Sequence, residues 1–454
     1  MAHRLGTKLA GRNLTWIGAS LCLATLPVSA RALDVMASKA AIETVLDAEY
    51  PHLDALYKDI HSHPELGFQE TRTASKLAAE MRTLGFEVTE HVGRTGLVAM
   101  YHNGPGPLIM VRTELDALPM EEKTGLSYAS RAKALWNGRE VFVDHSCGHD
   151  IHMAAWVGTA KALLTMKDKW RGSLMFIAQP AEEVDGGARG MLADGLFVKF
   201  GGKPTYVFAL HDGPAATGEI YYIPGPESAN SDEFDITFKG RGGHGAIPSA
   251  TIDPILIASR FVVDVQSVIS REKEAGAFGV VTVGGFQAGS AGNIIPDQAS
   301  VVGTIRDYEP AVRAKLLEGV ERVARAEAAM AGAPAPDIHF AAYGKAVFND
   351  PDLTARTVAV FKAAFGDHVV LLKSPVPTSE DFSEFTLAGP PGFFFNIGAT
   401  DPAKVAAANA GGSPVPVNHS PFFAPVPEPT IRTGVTAMTL AVLNVMEPSG
   451  GAQK

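Results

Sequence analysis

Cysteine is almost missing from this chain: its 454 residues hold only Cys22 and Cys147. At most one pair could form, which excludes a disulfide framework as the source of stability. Positive charge is also short, with 39 Lys and Arg against 49 Asp and Glu and a net charge of −10. That balance argues against a nucleic-acid surface. Past the N-terminus, no apolar run approaches the length of a membrane span. What remains is an ordinary globular composition, 46% hydrophobic and 19% charged, long enough for two or three domains.

The first 32 residues have a different texture. Arg4, Lys8 and Arg12 form a basic start, Leu14 to Val28 is an apolar run broken late by Pro27, and Ala30-Arg31-Ala32 offers small residues for cleavage. This reads as a Sec-type signal peptide over 1–32, cleaved near Ala32. An uncleaved anchor is the alternative, but the run is short and contains Pro27. Leu21 before Cys22 argues against a lipoprotein site. The expectation is a periplasmic or secreted protein with no stable membrane association after cleavage. Removal takes away four positive charges and moves the net charge from −10 to −14. It also leaves Cys147 as the lone thiol, a liability in an oxidising compartment unless it is buried or metal-bound.

Cys147 sits in the densest polar run of the chain, Asp144-His-Ser-Cys-Gly-His-Asp-Ile-His152. One residue separates Cys147 from His149, so both can reach one ion, and thiolate with imidazole suits zinc or a similar transition metal. On this run alone, a polar loop with an incidental thiol is the competing reading.

The surrounding periodicities indicate the α/β class. Helices are expected over 39–62, with Pro51 breaking or restarting the first, and over 70–84. Strands are expected over 87–91, 97–101, 108–113, 173–178 and 206–210. Three of the apolar strands lead into a carboxylate or histidine, and in open α/β sheets sites assemble at the carboxyl ends of strands. Between 231 and 342 the order becomes strand, helix, strand, strand, helix, strand, the ferredoxin-like βαββαβ plan. A two-domain chain is therefore expected: a signal peptide at 1–32, a discontinuous α/β catalytic domain with a mixed sheet at 33–228 and 343–454, and an inserted domain at 229–342. Ala406–Gly412 reads as a low-complexity loop.

Candidate ligands at strand ends are Cys147, His149, Glu182, Glu183 and His211, with His419 in Asn418-His-Ser-Pro421. Two metals fit five or six ligands better than one. If Glu182-Glu183 continues a strand, successive side chains point to opposite sides, so one could bind metal while the other serves as general base.

Here the chain resembles a known family. Cys-Gly-His-Asp, Gln-Pro-Ala-Glu-Glu, Leu-His, Gly-Gly-His-Gly-Ala, Asn-Ile-Ile-Pro, Ser-Glu-Asp-Phe and Asn-His-Ser-Pro occur in this order. They are similar to those of the M20 metallopeptidases, amidohydrolase branch, which includes auxin-conjugate, hippurate and aminobenzoyl-glutamate hydrolases. The likeness spans roughly residues 40–446. It implies a two-metal site of Cys147, His149, Glu183, His211 and His419, with Glu182 as general base. It implies that the inserted domain is a lid and homodimerisation module. His244 matches an oxyanion-stabilising lid histidine, supplied in some relatives by the partner subunit. Asn293 and Arg306 match lid residues that grip the substrate carboxylate. Asp116 is expected to orient a ligand histidine, with Asp150 and His152 in similar supporting positions. Glu114 departs from the branch's usual Asp, and Asp-Gly-Pro after His211 departs from its usual aromatic or polar pair.

The function implied is hydrolysis of the amide of an N-acyl or N-aroyl amino acid, using two divalent ions (zinc, manganese or cobalt) and a glutamate base. A dipeptidase or carboxypeptidase, a non-catalytic binder of small ligands on the same fold, and a cysteine hydrolase using Cys147 are the alternatives.

Overall fold

The computed structural model describes residues 33–448, so the expected signal segment, with Cys22, lies outside the described residues. Two sheets organise the chain. The larger has nine strands. Eight run in the order Glu87–Val92, Gly96–Asn103, Trp170–Gln179, Leu108–Glu114, Tyr206–Ala216, Gly392–Thr400, Ile220–Tyr222 and Val369–Leu371, while Glu447–Pro448 pairs with Trp170–Gln179. The run from Trp170–Gln179 to Gly392–Thr400 is parallel, and Gly96–Asn103 and Ile220–Tyr222 flank it antiparallel. This is the expected mixed sheet of the α/β class. The central strands are apolar on both faces because both are covered: every residue of Leu108–Glu114 after the first is buried. Helices Val35–His61, His149–Thr165 and Pro427–Leu443 pack on one another and on one face, while Met191, Leu196, Phe382 and Phe385 help cover the other.

The second sheet has four strands in the order Gly279–Ala288, Gln298–Asp307, Asn230–Lys239, Asp337–Gly344, every pairing antiparallel. In chain order this is 2-3-1-4, the arrangement a βαββαβ run folds into. Helices Pro254–Asp264 and Pro310–Met330 bury Phe261 and Leu316 against Phe234, Ile236 and Val301 on one face. Strand Asn349–Phe348 pairs with Gly225–Pro226 where the chain leaves and re-enters the larger unit.

Three local expectations change. Pro51 lies inside a helix that runs unbroken for 27 residues, Val35–His61. An interior proline costs about 3 kcal/mol. Burial of Ile42, Leu46, Leu53, Leu56 and Ile60 on that helix offsets the loss. Ala406–Asn409, expected as loop, completes the helix Pro402–Asn409, capped by the Asp401 carboxylate and rich in alanine, the best helix former. Finally, Tyr206–Ala216 runs five residues past His211 rather than ending there, because Gly392–Thr400 continues to pair beside it.

Candidate metal centre

The parallel strands place their carboxyl ends on one edge of the sheet, and the candidate residues collect there. Asp116 follows Leu108–Glu114, Glu182 and Glu183 follow Trp170–Gln179, and His211 lies within Tyr206–Ala216. Cys147 immediately precedes Gly148, the N-cap of helix His149–Thr165. Gly148 has φ 91°, and a Cβ there would sit 2.2 Å from Asp212 Oδ1, so only glycine allows the turn to pass so close. The last ligand candidate arrives from far along the chain. His419 N–H donates to the Ser146 carbonyl at 2.9 Å, and Asn418 Nδ2 donates to the Cys147 carbonyl at 2.9 Å. His419 itself has φ 64°, a left-handed conformation that a non-glycine residue holds only under constraint.

Two three-residue groups result, Cys147–His149–His211 and Cys147–Glu183–His419, in each of which the ligand atoms lie within 4.8 Å of one another. Cys147 belongs to both. Its Sγ is 3.4 Å from His211 Nε2 and 3.3 Å from His419 Nε2. Glu183 Oε2 is 3.4 Å from His419 Nε2, and Glu183 Oε1 is 3.8 Å from His149 Nε2. His149 is buried and His419 half-exposed, so the pair of groups has a closed end and an open one.

The ring nitrogens are sorted by their second bonds. His149 Nδ1–H donates to the Asp116 carbonyl at 2.8 Å and His211 Nδ1–H to the Asp212 carbonyl at 2.7 Å, which leaves both Nε2 lone pairs facing the groups. Asp116 thus orients His149 through its main chain. Its carboxylate instead accepts the amides of Glu182 and Glu183, at 3.1 and 3.0 Å. Those two residues lie on a single 3₁₀ turn, Glu182–Val184, and do not extend the strand. Pro180 ends the ladder, and Ala181 (φ 51°) and Asp185 (φ 49°) bend the chain on either side, so the opposite-faces argument for Glu182-Glu183 fails. Asp150 touches no ligand candidate; its Oδ2 lies 2.6 Å from His61 Nδ1. His152 supports Asp212, whose amide donates to His152 Nε2 at 2.9 Å, while His152 Nδ1–H reaches Glu114 Oε2 at 3.1 Å. Glu114 is therefore a bridge between Arg112 and His152.

The three lid candidates divide between an exposed tip and the neighbourhood of the Glu182–Val184 turn. His244 and Asn293 share an exposed tip, where Gly243–His244 pairs with Ile294–Ile295 and the Gly245 amide donates to the Asn293 carbonyl. No hydrogen bond among the described residues joins His244 to Glu182 or to the Cys147 groups; its Nδ1 accepts from the Ala246 amide. Arg306 reaches back to the larger unit, its Nη1 donating to Ser379 Oγ at 3.1 Å.

Sequence reasoning gave no role to Arg112 or to Glu380-Asp381. Arg112 is fully buried; its Nη2 contacts Glu380 Oε1 at 2.7 Å and Asp381 Oδ1 at 3.2 Å, and its Nη1 pairs with Glu114. An arginine in the middle of a buried strand was the available signal. This cluster bears on Glu182, whose carboxyl is held well above its usual range by burial and by the charges of Glu380, Glu183 and Asp381. General-base work needs the ionised form, which cations beside Glu183 would favour by opposing those negative charges.

Do these residues fit a pair of divalent ions? His149 Nε2 and Glu183 Oε1 are buried without hydrogen-bond partners among the described residues, 3.8 Å apart, too far to bond each other and placed for a shared cation. Burial, with Glu183, Glu182 and Asp212 nearby, pushes the Cys147 thiol well up, so a thiolate there needs a cation beside it. Burial, then His152, lowers His211 to about 3, which keeps its imidazole neutral as a ligand must be. The donor set of one sulfur, three imidazoles and one carboxylate fits two transition-metal ions.

Comparison with known proteins agrees. Residues 110–411 match the model of peptidase family M20/M25/M40. The chain is 35% identical to the N-acetylcysteine deacetylase of Bacillus subtilis, over 77% of this chain and 89% of that one. It is 34% identical to the hippurate hydrolase of Campylobacter jejuni, over 76% and 87%. A solved Bacillus subtilis structure, described as a dinuclear metal-binding peptidase from the M20 family, superposes with a TM-score of 0.71 at 29% identity, covering 88% of this chain and all of that one.

Proposed function

This chain belongs to the peptidase family M20/M25/M40, and from that premise we propose that it is a metal-dependent amidohydrolase that splits N-acyl or N-aroyl amino acids into a carboxylic acid and a free amino acid. The observation that carries the reading is the pair of ligand groups sharing Cys147, with Glu182 next to the Glu183 ligand. Two divalent ions bound by Cys147, His149, Glu183, His211 and His419 would supply Lewis-acid charge, acidifying water and polarising the amide carbonyl. The chain's own groups do the rest. Glu182 takes a proton from the attacking water at its carboxylate and returns it to the leaving nitrogen. The half-exposed His419 side marks the way in for substrate. Arg306, whose Nη1 donates to Ser379 Oγ, would fork onto the carboxylate of the amino-acid half.

His244 and Asn293 sit at an exposed tip with no hydrogen bond to Glu182 among the described residues, so oxyanion stabilisation by His244 would call for the inserted unit to close or a second copy to supply it. A homodimer through residues 229–342 meets that need. The N-terminal 32 residues support export to the periplasm or medium. The experiment is a hydrolysis screen of N-acetyl, N-benzoyl and peptide-linked amino acids on chelator-treated protein reloaded with zinc, manganese or cobalt. Turnover of N-acyl amino acids that vanishes on chelation and returns with metal is expected. Turnover untouched by chelation would refute the metal mechanism and favour one through the Cys147 thiol.

A further inference from the structure

Behind the metal centre, on the far side of Asp150, lies a second buried polar cluster that the reaction does not use. His61, Glu122, Asp144 and Asp150 are all at least 96% buried. His61 closes the helix Val35–His61, Glu122 and Asp144 come from the segment after the Leu108–Glu114 strand, and Asp150 follows the ligand His149. His61 Nδ1 lies 2.6 Å from Asp150 Oδ2. Its Nε2 is ion-paired with Glu122 Oε2 at 3.3 Å without hydrogen-bond geometry, and Asp144 Oδ2 has no hydrogen-bond partner among the described residues. Ligand atoms of His61, Glu122 and Asp144 all lie within 4.8 Å of one another.

We propose that His61, Glu122 and Asp144 form a third, structural site for a divalent transition cation of the zinc or manganese class. Three independent features point there. A metal-ligating histidine donates its other ring N–H to a carboxylate, and the His61–Asp150 pair has that arrangement, which leaves the Nε2 lone pair aimed at the two remaining carboxylates. Asp144 Oδ2 is buried with no hydrogen-bond partner among the described residues, and His61 Nε2 meets Glu122 only as an ion pair without hydrogen-bond geometry, so the cluster leaves polar capacity unsatisfied. Third, the charge does not balance. The groups that act most strongly on Glu122, Asp144 and Asp150 are one another, His61 and His145, with no lysine or arginine among them. Three buried carboxylates exceed the single positive charge that a protonated His61 can carry, and a doubly charged ion that replaces the His61 Nε2 proton removes more of the excess than the proton does.

The site is preorganised. Glu122 is held by the Thr124 hydroxyl and the Ser130 amide, so its position does not depend on His61. Tyr57 and Tyr128 wall the His61 ring, with centroids at 5.6 and 5.2 Å. One imidazole nitrogen and carboxylate oxygens suit zinc or manganese better than calcium, which takes oxygen ligands alone. The competing way to relieve the charge is a proton on Asp144, whose carboxyl burial, then Glu122, pushes up to about 7.

The test uses the whole protein, stripped with chelator and reloaded with zinc or manganese. Elemental analysis is expected to find one ion more per chain in wild type than in Glu122→Gln. Anomalous diffraction from loaded wild-type crystals is expected to show a peak beside His61 Nε2 in addition to those at the Cys147 groups. Asp144→Asn is read in the same way if Glu122→Gln does not fold. Peaks at the Cys147 groups with none beside His61, or equal metal content in wild type and a folded variant, overturn the proposal. The site stands independently of the hydrolytic reading, since it shares no ligand with it.

Discussion

Replacing Arg112 by methionine is expected to destabilise the folded protein by about 3–5 kcal/mol near neutral pH, the range for breaking a buried ion pair from one side. The side chain is completely buried. It faces Glu114, Glu380 and Asp381, and its Nε donates to Gln179 Oε1 at 2.9 Å. Methionine fills a similar volume but offers no donor and no charge, so three carboxyl groups stay buried without their cation. The pH dependence follows in sign. In the native protein burial opposes charge on Glu114, but Arg112, then His152, hold its carboxyl well below the usual range. A depressed folded value contributes stability above the unfolded value and loses it as pH falls. Asp381, pushed up to about 8 chiefly by burial despite Arg112, already works in the opposite direction. Without Arg112 all three carboxyls move upward, the folded state binds more protons than the unfolded chain, and the variant weakens as pH rises. The gap between wild type and variant should therefore widen over roughly pH 5 to 8. Urea unfolding of the metal-loaded proteins at both ends of that window, followed by tryptophan fluorescence, measures it. A gap under about 1 kcal/mol, or one that does not grow with pH, would refute the assignment of Arg112 as the charge that holds this cluster.

Two further substitutions separate chemistry from architecture. Glu182→Gln is expected to keep its metal, by elemental analysis, and to lose about 10²–10⁴-fold in kcat; substantial remaining turnover would remove Glu182 from the role of base. Gly148→Ala forces a Cβ to within 2.2 Å of Asp212 Oδ1 at φ 91°. It should cost about 1–3 kcal/mol in strain and weaken metal retention by shifting Cys147, and a variant with wild-type melting and metal content would show that the turn tolerates a side chain.

How far the sequence foretold this arrangement depended on the kind of signal each feature leaves. Leu108–Glu114 and Trp170–Gln179 are legible because a strand buried on both faces must be a continuous apolar run, and because such strands deliver their polar ends to one edge. The small sheet is legible for a similar reason, since strand, helix, strand, strand, helix, strand leaves few ways to pair. Cys147, His149, Glu183, His211 and His419 could be nominated by residue type, because few side chains bind transition metals. The Glu182-Glu183 turn was misread. A proline marks the end of a ladder, but the turn that follows is held by distant carboxylates: Glu70 accepts the Ala181 amide, and Asp116 accepts the Glu182 and Glu183 amides from 66 and 67 residues away.

Asp116 and Asp150 make the limit concrete. Both are acidic, and both are expected from the sequence to orient a ligand histidine. In the structure, Asp116 turns its carbonyl to His149 and its carboxylate to the Glu182 and Glu183 amides, while Asp150 turns away to His61, 89 residues earlier. Nothing periodic distinguishes them. A buried carboxylate must be compensated, but which donor compensates it is decided by how helices and strands distant in sequence come together. The same reasoning explains why Arg112 and Glu380, joined across 268 residues, carry no signal in the sequence while the candidate metal ligands do. Ligands advertise their chemistry singly; a compensating pair means something only once both halves are in place. The buried polar groups still unmatched after such pairing, His61 Nε2 and Asp144 Oδ2 among them, are accordingly where a further bound ion is best sought.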